Sequence, residues 1–519
     1  MELKKVKLHR CREKGSAVSQ ITLDDDYNVP DYRQDIVKVL KEKGELRFDE
    51  VKAANGAVWV KGSLIFKVLY RSDQQDGKIG SLRGEIPFQE KLNIDGLAEY
   101  EPVSAKGEIE DLTIGVINSR KLSVRAVVVL KAEAEEELDE ELTCGVEDGE
   151  EYEQNLVSRG ALKLLLSRRD VCRQKSEIVL PSSKPNVREI LWRSMELRNV
   201  ESRLADGNAQ VTGEILVSVL YTGEDEGERL QWYETTVPLT CATECGIDDE
   251  DCICRITASP VMLELEIKPD YDGEERILVL ELSLALDIRV WKEERISLLL
   301  DLYSLKKDVT PVKKERKIER LLIKNSAKCR LTERMELMEN QEKVLQICAC
   351  EGSVVLEKKE KGPEGVLAEG IVIVSILYIT TADNMPIGTV REIYPFSQLI
   401  EVPDMADNVR VELSSGLEQL SAVMLDQEHI EIKAAVRLDL IAFEEESVEN
   451  IEEVKEEALD MERLQNRPGL IGYIAKEGDN LWMIARENHT TVRDIMETNQ
   501  LKEEKLSVGD KILIVKQVE

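Results

Sequence analysis

Apolar residues alternate with polar ones at Val60, Leu64, Phe66 and Val68. This two-residue period places apolar side chains on one face of a half-buried β-sheet. The stretch Val60-Lys-Gly62-Ser-Leu-Ile-Phe-Lys-Val-Leu69-Tyr70 recurs as Val211-Thr-Gly213-Glu-Ile-Leu-Val-Ser-Val-Leu220-Tyr221, and again as Ala368-Glu-Gly370-Ile-Val-Ile-Val-Ser-Ile-Leu377-Tyr378. A proline follows each copy at Pro87, Pro238 and Pro395, and the second and third prolines lie 151 and 157 residues after the one before. A period of that size is a domain and not a solenoid unit. Pro30 with Ile36 and Leu40 repeats as Pro181 with Val187 and Leu191, while the third copy has a changed lead-in around Val344 and Leu345. Each copy closes on an alternating strand: Leu122-Val124-Ala126-Val128, Leu278-Leu280-Leu282-Leu284 and Ile430-Ile432-Ala434-Val436.

Local signals refine the picture. Asn55-Gly56 and Asp206-Gly207 are tight hairpin turns placed just before the repeated strand. Gly62, Gly213 and Gly370 sit inside it, where a missing side chain marks a bulge or a close backbone approach. The spacing of Ile36 and Leu40 predicts one short helix near Asp35 to Lys43 in each repeat. The repeated Leu-Tyr pairs read as structural, with the tyrosine hydroxyl at a strand-end rim, and the X-Pro steps read as edge-strand stops. The fold class is therefore mainly β: three tandem antiparallel β-sandwich or barrel-like domains over 1–155, 156–308 and 309–443. Aromatic residues make up only 4 % of the chain, so their cores rest on Val, Leu and Ile.

The C-terminal segment has another pattern. Tyr473 and Ile474 suit a short strand, and Gly478-Asp479 ends it as a turn. Asn480 is placed as an N-cap for a helix carrying Leu481, Ile484 and Ala485. Thr491 caps a second helix with Val492, Ile495 and Met496 on its apolar side, and Ile512 to Val515 close the unit as a strand after Gly509-Asp510. Residues 470–519 thus form a small βααβ module, and on these residues it resembles a LysM module. The resemblance implies binding of N-acetylglucosamine-containing glycan through two loops, here Gly478, Asp479, Asn480, Leu481 and Trp482, and Asn499, Gln500 and Leu501. It implies that Leu481 packs inward and that Trp482 stands exposed as an anchor. Asn480 in place of Ser or Thr, and Asn488-His489 in place of an aromatic-glycine pair, depart from the family pattern.

Charge narrows the partners. The formal net charge is −33, yet residues 470–519 carry 7 basic and 9 acidic side chains, so nearly all of the excess lies in the first 469 residues. Such a surface repels phosphate backbones and anionic lipid, which argues against nucleic-acid binding and membrane association through basic patches. Glu444 to Glu462 holds ten acidic residues and one lysine, and 444–469 reads as a solvated acidic linker, part helix and part coil, hinged at Arg467-Pro468-Gly469. The longest apolar run, Ile371 to Thr380, is about half of what spans a bilayer, and Met1 to Gly15 lacks the apolar stretch of a signal peptide, so no membrane insertion and a cytoplasmic location are expected.

Candidate chemistry is sparse. The ten cysteines look unpaired, and Cys241, Cys245, Cys252 and Cys254 cluster in sequence without the CxxC knuckles of a zinc site. Phosphate-loop, dinucleotide and HExxH motifs do not occur, and the three histidines leave little for a nucleophilic dyad. A non-enzyme without cofactors is expected. Three such β-domains followed by one LysM module resemble the SipL-like spore-coat morphogenetic proteins, whose repeats are SPOCS domains. That resemblance implies a sporulation assembly adaptor on the mother-cell side of the forespore surface, with the LysM-like module docked on a spore-coat basement-layer ATPase. The alternative is a peptidoglycan- or N-acetylglucosamine-binding protein of the wall or cortex.

Overall fold

The computed structural model describes the chain except for residues 73–77, 148–150, 225–228, 250, 340, 383–384, 461–467 and 516–519. The first repeat runs β1 (Leu3–Asn28), β2 (Ile36–Ala54), β3 (Ala57–Ser72), β4 (Ile79–Asn93), β5 (Val103–Asn118) and β6 (Lys121–Val146). The second runs β7 (Glu153–Val179), β8 (Val187–Ala205), β9 (Asn208–Gly223), β10 (Leu230–Glu244), β11 (Ile253–Pro269) and β12 (Glu275–Tyr303). The third runs β13 (Lys307–Glu336), β14 (Val344–Gly362), β15 (Gly365–Thr380), β16 (Ile387–Glu401), β17 (Val409–Met424) and β18 (His429–Ala458). In each, a β2-β3-β4-type sheet packs on a β1-β6-β5-type sheet, and all pairings are antiparallel. The repeated strand is the central one, and Val60, Leu64, Phe66 and Val68 are fully buried between the two layers.

The strand glycines have a steric cause. Gly62 and Gly370 lie opposite bulges in β2 and β14, and a Cβ on either would sit 2.3 Å from the carbonyl oxygen of Arg47 or Val355. At Gly213 the nearest carbonyl, that of Arg198, would be 3.0 Å away. Gly370→Ala is therefore expected to destabilise the protein by about 1–3 kcal/mol, as overpacking against backbone does, and Gly213→Ala by less. Denaturant unfolding of the two variants checks the order; equal losses would contradict it. Asn55-Gly56 and Asp206-Gly207 take φ of 52° and 72° at both turns, as a two-residue hairpin needs.

Three expectations about the elements are corrected. The segment near Asp35 to Lys43 is not a helix but the start of β2, which carries register shifts at Ile36/Lys38 and Val39/Lys41. Pro87, Pro238 and Pro395 do not stop their strands; each lies within the edge strand β4, β10 or β16, where a missing N–H costs no ladder bond. The acidic run expected as a linker from Glu444 is, through Ala458, the second half of β18, paired with β13. Residues 461–467, including Arg467 of the expected hinge, lie outside the described residues.

The cause of the last correction is charge register. Strand β13 is rich in lysine and arginine and meets β18 residue by residue. Lys317 reaches Glu445 at 2.6 Å, Lys314 reaches Glu452 at 3.0 Å, and Lys307 reaches Glu456 at 3.2 Å. Beneath these exposed pairs Val448, Asn450 and Ile451 are buried.

The strand pairs β1/β6, β7/β12 and β13/β18 all extend past their sandwiches and pack together as a stem. Leu8 and Leu142, Ile296 and Leu298, and Ile318 and Val448, from the three repeats in turn, share one cluster. Asn450 ties all three ribbons: its amide donates to the carbonyls of Thr143 (2.9 Å) and Leu299 (3.3 Å), and its oxygen accepts from the Thr143 N–H (2.7 Å). At the other end of the molecule Leu69, Leu220 and Leu377 of the repeated Leu-Tyr pairs meet in one cluster with Leu191 and Trp192. Their tyrosine rings are buried inside the separate sandwiches, and the Tyr221 and Tyr378 hydroxyls donate to the carbonyls of Pro185 and Glu342 in the loops just before β8 and β14.

Below that apolar junction is a buried ionic layer. Glu351 accepts from the Trp192 indole at 2.8 Å and pairs with Lys43 at 3.0 Å and Lys41 at 3.4 Å; Lys41 also donates to Ser375 at 2.6 Å. The cysteines also depart from expectation. Cys241 is disulfide-bonded to Cys172, which removes it from the set with Cys245, Cys252 and Cys254.

Candidate functional site

The chain returns from the stem into β19 (Leu470–Ile474), α1 (Leu481–Glu487), α2 (Val492–Asn499) and β20 (Lys511–Val515), with β19 and β20 antiparallel. Local chemistry sets each element. Gly478 turns at φ 89°, and the Asp479 carboxylate accepts from the Lys476 N–H and the Tyr473 hydroxyl, both at 2.8 Å. These bonds hold the Asp479 carboxyl below its usual range, the Lys476 N–H contributing most. Asn480 caps α1 by accepting from the Met483 N–H at 2.8 Å, and Thr491 caps α2 by accepting from the Asp494 N–H at 3.0 Å.

The eight expected site residues divide by environment. Gly478, Asn480 and Gln500 are exposed, and Asp479 and Leu501 are half-buried. Leu481 is only 1 % exposed and forms the module core with Ile484, Ile495, Ile512 and Ile514, so it offers no contact surface. Asn499 is spent on structure: its amide donates to the Ile495 and Leu513 carbonyls at 2.8 Å, and its oxygen accepts from the Leu513 N–H at 2.7 Å.

Trp482 does not stand free. Its ring meets Tyr303 of β12 edge-on, with centroids 4.9 Å apart, and its indole N–H donates to Asp301 at 2.8 Å. Arg486, one turn further along α1, donates to both oxygens of Asp301 at 3.1 and 2.8 Å. The Tyr303 hydroxyl donates to the Thr490 carbonyl at 2.9 Å, and burial pushes that hydroxyl's pKa well up. Asp301 and Tyr303 were not foreseen from sequence. Their one linear signal is a carboxylate amid the apolar run Leu298 to Tyr303. The module therefore presents Gly478, Asn480 and Gln500 to solvent while the outer face of α1 is seated on the end of the second repeat.

Fold and site together define a protein of tandem β-domains joined through a common stem and ending in a small binding module. The SipL SPOCS-domain model matches residues 35–117, 186–268 and 343–425, and the LysM-domain model matches residues 473–515. No curated protein and no solved structure matches the chain. This order, three SPOCS domains followed by one LysM domain, is the SipL-like architecture. SPOCS and LysM domains are non-catalytic binding modules, and the combination fits a sporulation protein, with peptidoglycan among the ligands that suit a LysM domain. Among the described residues no helix is long and apolar enough to cross a membrane.

Proposed function

We propose that this chain is a non-enzymatic sporulation adaptor that acts on the mother-cell side of the forespore surface. In this reading the LysM module docks on the spore-coat basement-layer ATPase, and the three SPOCS repeats scaffold further coat assembly. One observation carries it: the exposed loop residues Gly478, Asn480 and Gln500 belong to a module seated on the end of the second repeat. A docking end mounted on a preorganised scaffold loses less conformational entropy on assembly than a free one. The acidic repeats suit partners with basic faces.

Deleting residues 463–519 is expected to abolish the ring of protein around the forespore. A truncated chain that still encircles the spore overturns the docking assignment. The LysM match favours a second reading, binding of N-acetylglucosamine glycan by the same loops. On that reading the full chain pellets with purified peptidoglycan and is released by chitin oligomers, and failure to pellet removes it.

A further inference from the structure

Modules of fewer than about 70 residues rarely carry a self-sufficient apolar core. The LysM module is of that size, and its fully buried apolar set is Leu481, Ile484, Ala485, Ile495, Ile512 and Ile514, all aliphatic, together with the small Ala475. The one large ring buried in the same cluster comes from outside: Tyr303, 4 % exposed, at the C-terminal end of β12 in the second repeat. It reaches the turn between α1 and α2 and bonds the Thr490 carbonyl, itself part of a residue 1 % exposed. Asp301, 8 % exposed, lies two residues earlier on the same face of β12, and its side-chain bonds go to Trp482 and Arg486 of α1.

Each partner is incomplete without the other. Undocking would break the Asp301 carboxylate's bonds to its two donors and the Tyr303 hydroxyl's bond to its acceptor. It would also open the α1 face of the module to water. None of the exposed residues Gly478, Asn480 and Gln500 takes part in these bonds.

We propose that the second repeat completes the LysM module, with Tyr303 serving as a core residue of the module and Asp301 as the positioning residue that fixes α1, so that the recognition loops are displayed in one orientation relative to the stem. This deepens the docking reading given above and rests on it for its function, though not for its structural content.

The test is amide hydrogen exchange on the full chain, because the module is not expected to be stable alone. Asp301→Asn and Tyr303→Ala change the repeat side, whereas Arg486→Ala combined with Trp482→Phe changes the module side and leaves β12 intact. The expected result is exchange at least about ten-fold faster across Leu481–Glu487 and Val492–Asn499, as local opening of a cooperative unit produces, with Leu278–Val290 unchanged. Should Tyr303→Ala also loosen β12, the module-side pair decides. Unchanged protection of both helices in the module-side pair overturns the proposal. Peptidoglycan pelleting and spore-surface localisation are followed on the same variants. A wild-type chain with a protected module that neither pellets nor localises would sink the functional reading and leave this inference standing. A module that loses protection yet still localises would show that fixed orientation is not what the partner reads.

Discussion

Replacing Glu351 with alanine is expected to destabilise the junction of the three repeats by about 3–5 kcal/mol, the usual cost of removing one member of a buried ion cluster. Lys41 is 6 % and Glu351 7 % exposed, so the lysine left behind has little water to turn to. Trp192 loses the acceptor for its indole at the same time. Burial alone would raise the Glu351 carboxyl, but the Lys41 and Lys43 ammoniums hold it down to about 2. The sign of the pH dependence follows. The stabilisation from Glu351 is complete above the unfolded carboxyl value of about 4.3 and is lost as pH falls from there through the folded value. Denaturant titrations of wild type and Glu351→Ala should therefore differ most near neutrality and converge in acid. A difference that stays constant down to the folded value, or one below about 1 kcal/mol at neutral pH, would show that the layer is not an ionic anchor.

Leu481→Ala is expected to cost the LysM module about 2–5 kcal/mol, the range for emptying a fully buried leucine site. Leu481 is 1 % exposed and packs in one cluster with Ile484, Ile495, Ile512 and Ile514. Exchange across 470–515 should accelerate while the SPOCS sandwiches keep their protection, and thermal unfolding should show the module melting ahead of the repeats. Trp482→Ala acts elsewhere: it removes the ring against Tyr303 and the donor to Asp301, so its first effect falls on the seat at β12. If Leu481→Ala leaves module protection unchanged, the assignment of Leu481 as its central core residue is wrong.

The sequence by itself determined the features that neighbouring residues encode. Steric exclusion confined Gly62 and Gly370 to glycine, Asn55-Gly56 and Asp206-Gly207 set hairpins, and Asn480 and Thr491 capped helices within a few residues of themselves. A period of about 150 residues then multiplied one legible domain into three. The helix expected near Asp35 to Lys43 failed for a local reason as well: two closely spaced bulges break the strand's two-residue alternation and leave apolar spacings like those of a helix.

Tertiary structure decided everything that depends on a partner far along the chain. Glu444 to Ala458 reads as a solvated spacer until β13 brings its lysines and arginines alongside, more than a hundred residues away in sequence. The Leu-Tyr pairs show an apolar residue in each repeat, but only assembly reveals that three leucines converge on one junction while the tyrosines stay within their own sandwiches. Trp482 reads as a free anchor because nothing near it in sequence announces Asp301 and Tyr303. Alternation, turns and caps depend on short-range sterics and hydrogen bonds, so they survive in a one-dimensional reading. Charge pairing and the burial of a single ring depend on which surfaces the folded chain brings together, and no local pattern carries that information.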